Sequence, residues 1–318
     1  MEVRKVNGFF IIFVIGYIGL SVVCASIMAY AQNSGIAVPD WIQYVVSEGI
    51  ILLIAIIYMI VQKIDPIREI PYKRIGIVDV ILSLVAGYCL IPAVLLISNL
   101  SMLFSTNYLE EGTTTLLTYP FAMQVILLAV IPPLVEELIF RGIFFGSYRK
   151  AGMTGAALMS GLLFGCFHLN INQALYAFVM GIVFAYMVEA TGSLWSSVIA
   201  HFAVNTYSIG IVQILKMAGI YAQDGSVSET FENAESVAGQ STAITVVQIA
   251  MIAVIAAVFM MLAVLCIRTM AKRHGNLEKM KIQNVKLSHI KNYFTAPVIV
   301  GIVVCVMYMI MLEFSGTL

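Results

Sequence analysis

Charge is scarce in this chain. Only 11% of its 318 residues are Asp, Glu, Lys or Arg, whereas soluble domains sit near a quarter. A soluble fold this poor in charge, with 61% hydrophobic residues, would have no polar surface. Net charge is zero, so bulk attraction to nucleic acid is not expected. The five cysteines, Cys24, Cys89, Cys166, Cys266 and Cys305, all fall in apolar stretches. None has zinc-finger spacing to another Cys or His, so neither a disulfide frame nor such a site is expected. No internal repeat stands out, which disfavours an inverted-repeat transporter. Every loop is too short to fold as a soluble core, including those over about 99–118, 218–242 and 268–295.

What is present is grease in blocks. Nine apolar blocks cover roughly 9–31, 41–62, 75–98, 119–147, 153–169, 173–190, 194–217, 243–267 and 296–313. Blocks near 18 residues with few charges read as bilayer spans, and lipid forces each to be helical. The expectation is an all-α polytopic transmembrane bundle of about nine spans, one integral membrane domain over 1–318. The first block is too long for a signal-peptide core and has no evident cleavage site, so it reads as a retained span.

Basic residues cluster on alternate loops. Arg4 and Lys5 precede the first block. Lys63, Arg68, Lys73 and Arg74 follow the second, and Arg149 and Lys150 the fourth. Arg268, Lys272, Arg273, Lys279, Lys281, Lys286 and Lys291 follow the eighth. The intervening loops carry Asp40, then Glu110 and Glu111, then Asp224, Glu229, Glu232 and Glu235. Of the 17 Lys and Arg, Arg141 lies in a span and only Lys216 falls on the acidic side. The positive-inside rule puts the N-terminus in the cytoplasm and the C-terminus outside. The basic loop at 268–291 reads mainly as enforcing topology, although contact with anionic headgroups is open to it.

Blocks five and six are short, and Leu169-Asn170-Ile171-Asn172 joins them. Helical rise gives the fifth only about 25 Å, so the hairpin tip is expected below the outer surface, in protein or a wet cavity. Gly161 and Gly165 form a GxxxG face that lets another helix come close.

Ionisable groups inside spans are expensive and tend to be functional. They are Glu48, Asp79, Glu136, Glu137, Arg141, His168, Glu189 and His201. Asp79 and Glu189 lie near the cytoplasmic ends, reach water and read as structural. Glu48 has no evident partner and reads as a packing residue. Block four contains Pro132-Pro133-Leu134-Val135-Glu136-Glu137, with Arg141 four residues after Glu137. Glu137 and Arg141 share a helix face and can neutralise each other. Glu136 points about 100° away and lacks that partner, which suits a general base. The two prolines free carbonyls upstream; a plain kink with a structural ion pair is the blander alternative.

There are four histidines. His274 and His289 lie in the basic loop and read as solvated. His168 ends Phe164-Gly165-Cys166-Phe167-His168, and His201 opens His201-Phe202-Ala203-Val204-Asn205. Two imidazoles with Glu136 could hold a water or a divalent ion such as zinc. Glu136 could deprotonate water and protonate a leaving amine, the imidazoles could position that water, and Asn205 could donate to an oxyanion. Cys166 lies about 200° from His168 around the helix, which disfavours a Cys-His pair.

On these residues the chain resembles the CAAX-protease and bacteriocin-processing family of intramembrane endopeptidases, also called the Abi family. The motifs are Glu136-Glu137-x-x-x-Arg141, Phe164-x-x-x-His168 and His201-x-x-x-Asn205, intact and in order over about 119–210. The resemblance implies a core of about eight helices and a cavity reached from the cytoplasm or the lipid. It implies water activation by Glu136 with His168, and His201 and Asn205 as ligands or oxyanion partners. Glu137 is counted with these catalytic residues, and Arg141 and Phe164 have structural or electrostatic roles. It leaves open both a zinc-type centre at Glu136, His168 and His201 and a metal-independent mechanism.

The implied partners are membrane lipid and a peptide or lipidated protein, with no nucleic acid; a bacterial cell membrane is the expected location. A non-catalytic scaffold or immunity protein, and a proton- or metal-coupled transporter, are the competing readings. Depth is a strain on the shared site. Glu136 is 13 residues before Arg149, roughly 20 Å from the cytoplasmic edge, while His201 is only about 12 Å from Gly192.

Overall fold

In a computed structural model, which describes residues 3–106, 119–219, 242–282 and 291–315, each apolar block becomes a helix. They are α1 (Val3–Asn33), α2 (Trp41–Val61), α3 (Ile77–Ser101), α4 (Phe121–Ala151), α5 (Met153–Phe167), α6 (Ile171–Thr191), α7 (Trp195–Met217), α8 (Thr242–Arg273) and α9 (Ala296–Ser315). Eight are long and apolar enough to cross a bilayer. The exception is α5, with 15 residues. No strand occurs among the described residues. Glu110, Glu111, Asp224, Glu229, Glu232, Glu235, Lys286 and His289 lie outside them.

The packing follows from one-sided burial. α3 is held by α6, α7 and α8, while α1 packs on α2 and α9. One apolar core gathers Phe9, Phe13, Phe140, Phe144 and Phe164 from α1, α4 and α5. A second joins Leu90, Phe184, Val204 and Ile267 from α3, α6, α7 and α8. Outward faces remain apolar, as at Ile12, Val22, Val254 and Met261, which suits contact with acyl chains.

The α5–α6 hairpin is tightly packed. A Cβ on Gly161 would sit 2.7 Å from the Phe178 carbonyl oxygen, and one on Gly165 would sit 2.5 Å from that of Ala174. The GxxxG face therefore admits the backbone of α6 itself. Replacing Gly161 with Val should push the helices apart and destabilise the protein by about 1–3 kcal/mol, read as a lowered melting temperature in detergent. An unchanged melting point would contradict the close approach.

The turn between these helices has a built geometry. Leu169 adopts φ 55°, a left-handed conformation uncommon for leucine. Asn170 then caps α6, its Oδ1 accepting from the Gln173 amide at 3.1 Å. Asn172 donates to the Ser98 carbonyl and to Ser101 Oγ, fastening the tip to the end of α3.

Two sequence readings are corrected at the basic end. Asp79 is not open to water: it is 2% exposed, accepts from Arg273 Nε at 3.1 Å and faces His274 Nε2 at 3.0 Å. His274 is therefore not simply solvated. The reason is tertiary: α8 packs along α3 and brings its last turn over a buried acid that needs partners. Glu189 is likewise buried, and Arg149 Nε meets it at 2.5 Å.

Candidate active site

The acidic couplet lies where α4 departs from ideal geometry. Val125–Val130 and Leu138–Phe145 are wide π-type turns flanking Ile131–Glu137. The upstream irregularity has a covalent cause. Pro132 and Pro133 lack amide protons, so the Leu128 carbonyl loses its donors four and five residues on. Asn205 of α7 fills the gap, donating from Nδ2 to Leu128 O at 2.9 Å. The amide that sequence reasoning offered to an oxyanion thus holds the backbone of the catalytic-candidate helix. Asn205→Ala should strand that carbonyl and cost about 1–3 kcal/mol of stability, measurable by thermal unfolding. Equal stability of the variant would show that another donor serves it.

Downstream, Arg141 Nη1 donates to Glu137 Oε1 at 2.8 Å, with both side chains fully buried. The same oxygen lies 3.1 Å from His201 Nδ1. Arg141 has two further nitrogens, Nε and Nη2, without a hydrogen-bond partner among the described residues. Aromatic faces take their place: its Cζ is 4.3 Å from the centre of the Phe164 ring and 5.2 Å from that of Phe184. Gly181 makes room, since a Cβ there would lie 3.2 Å from Arg141 Nη2.

The imidazoles are oriented by what their Nδ1 atoms face. His168 Nδ1 is 2.7 Å from the Phe164 carbonyl. A carbonyl only accepts, so Nδ1 carries the proton and Nε2 is left as an acceptor. Glu137 acts on His201 in the same way, leaving its Nε2 toward Glu136 Oε2 at 3.7 Å. That separation is too long for a direct hydrogen bond. Phe164 stands edge-on to both rings, at 4.7 Å from His168 and 5.8 Å from His201. Thus α4, α5 and α7 do bring Glu136, Glu137, Arg141, Phe164, His168 and His201 together, and Asn205 stands behind them. The depth mismatch disappears in the packed bundle.

Glu136 and His168 open on one cavity of about 570 Å³. Its walls include Tyr17 and Ser21 of α1, Ser47 and Glu48 of α2, Asn170 and Gln173 at the hairpin, and Tyr308 of α9. These are the ends of α1, α5 and α9 remote from the basic loops. The hairpin tip contributes Leu169, Asn170 and Gln173 to the same cavity wall. Glu48 corrects the sequence reading: it borders this cavity rather than serving only to pack. A lone acid in an apolar helix gives no spacing signal; its depth in the span was the only hint.

Among the described residues no three His, Cys, Asp or Glu side chains converge as a ready metal cluster. The donor chemistry is nonetheless of the right type, with the Glu136 carboxylate and two imidazoles whose Nδ1 atoms are engaged elsewhere.

Comparison with known proteins gives two likenesses. Residues 118–207 match the family described as type II CAAX prenyl endopeptidase Rce1-like. The chain is also 33% identical over 88 residues to "Putative membrane peptidase YdiL" of Bacillus subtilis (strain 168). That alignment covers 27% of this chain and 36% of the relative, so the match spans about a third of the relative's length. No solved structure matches the chain. One likeness is to a family of CAAX prenyl endopeptidases and the other to a "putative membrane peptidase", and the matched family segment is the one that carries the three motifs.

Proposed function

We propose that the protein is an intramembrane endopeptidase in which Glu136 activates water against a peptide bond of a membrane-associated substrate. One observation carries the reading: Glu136 shares a water-sized-to-peptide-sized cavity with His168, and His201 Nε2 stands 3.7 Å from its carboxylate. In this scheme water donates one hydrogen bond to His168 Nε2, which orients it, and gives its other proton to Glu136. The resulting hydroxide adds to the carbonyl carbon. The C–N bond then breaks as Glu136 returns the proton to the leaving amine. Glu137 does not enter the chemistry; it fixes His201 and neutralises Arg141.

Glu136, His168 and His201 are the residues that would hold a divalent ion, which would supply Lewis-acid polarisation of the carbonyl and of water. The positive-inside pattern supports a cytoplasmic N-terminus and an external C-terminus in a bacterial cell membrane. On that orientation the cavity lies in the outer half of the bundle, not toward the cytoplasm. Purified protein in lipid nanodiscs, screened by mass spectrometry against a peptide library with its metal content measured in parallel, tests the proposal. Glu136-dependent cleavage supports it; absence of cleavage with any library member or metal rejects it.

A further inference from the structure

The cavity has an imbalance that water activation does not use. Two carboxyls, Glu48 and Glu136, border it, together with Tyr17, Ser21, Ser47, His168, Asn170 and Gln173. Among the described residues no Lys or Arg lines it. The buried cation of α4, Arg141, is engaged by Glu137. Glu48 is held in place beside a fixed neighbour, since Ser47 Oγ and Tyr17 Oη hydrogen-bond at 3.0 Å across α2 and α1. Yet Glu48 Oε2 is buried with no hydrogen-bond partner among the described residues. A carboxyl so placed is costly unless a guest completes it. Glu136 is needed for water, so the surplus acceptor is on α2.

We propose that Glu48 is a substrate-recognition carboxylate that pairs with a basic side chain of the peptide held in this cavity. The inference rests on the endopeptidase reading and names its substrate class: a cationic segment with Lys or Arg close to the scissile bond. A peptide ending in a free carboxylate inside the cavity would instead meet two acids and no cation. The basic side chain lies against α2 while the scissile carbonyl faces α4. A charge-assisted hydrogen bond to a buried carboxylate is worth roughly ten- to a hundredfold in affinity.

The test uses the full chain in nanodiscs and three peptides that differ only in one residue beside the cleavage point: Lys, norleucine or Glu. The wild type should favour Lys over norleucine by roughly ten- to a hundredfold in kcat/KM, chiefly through KM. Glu48→Gln should bring that ratio close to one, and Glu48→Lys should shift preference toward the Glu peptide. Equal selectivity in the wild type and Glu48→Gln, with cleavage still dependent on Glu136, overturns the proposal and leaves the endopeptidase reading standing. Equilibrium binding of the same peptides to protein carrying Glu136→Gln reads selectivity without turnover. A Glu48-dependent preference in binding, with no cleavage by the wild type, supports recognition and rejects the hydrolase.

Discussion

Glu136→Gln is expected to lower kcat by at least a hundredfold, toward the ten-thousandfold end of what a positioned general base contributes, while the protein keeps its melting temperature. The amide keeps the size of the carboxyl but can neither take a proton from water nor return one to an amine. Among the described residues its side chain makes no hydrogen bond that holds the bundle together; His201 Nε2 stands 3.7 Å from Oε2. Loss of turnover should therefore come without loss of fold, which thermal unfolding and gel filtration check. Glu137→Gln makes the contrast: it removes the anion that orders both Arg141 and His201, so activity and stability should fall together. Undiminished cleavage by Glu136→Gln would remove Glu136 from the base role.

Arg141→Met is expected to destabilise the protein by about 3–5 kcal/mol, the cost of leaving one partner of a buried ion pair alone. Glu137 would keep only its contact with His201 Nδ1. Its other oxygen, Oε2, already lacks a hydrogen-bond partner among the described residues. Adding Glu137→Gln to Arg141→Met should restore part of the loss, because the uncompensated charge is gone. Thermal unfolding of the four proteins closes this double-mutant cycle. A double variant less stable than Arg141→Met would mean that Glu137 stabilises the bundle independently of the arginine. Methionine also forfeits the guanidinium contacts with Phe164 and Phe184, so recovery should stop short of the wild type.

Much of the fold was legible because lipid allows so few solutions. Nine apolar blocks could only become helices, and the polar Leu169–Asn172 run already marked the turn between the fifth and the sixth. The Glu137–Arg141 pair followed from four-residue spacing on one face. The other partnerships join residues far apart in the chain. Asp79 and His274 are separated by most of the sequence, and only α8 lying along α3 makes them neighbours. The Leu128 carbonyl was recognisable as freed by Pro132 and Pro133, but its donor sits on α7, so periodicity could not supply Asn205. Glu48 was harder still. Its significance comes from standing at the same void as Glu136, and a void leaves no mark on a one-dimensional pattern.

The brevity of α5 has a mechanical consequence. Fifteen residues rise only about 22 Å, against a hydrocarbon slab of about 30 Å. A helix this short ends beside His168, and the chain reverses through Leu169 and Asn170 at the wall of the cavity. On the endopeptidase reading, the water to be activated would stand in a void bordered by that reversal, so the length of α5 sets where His168 meets it.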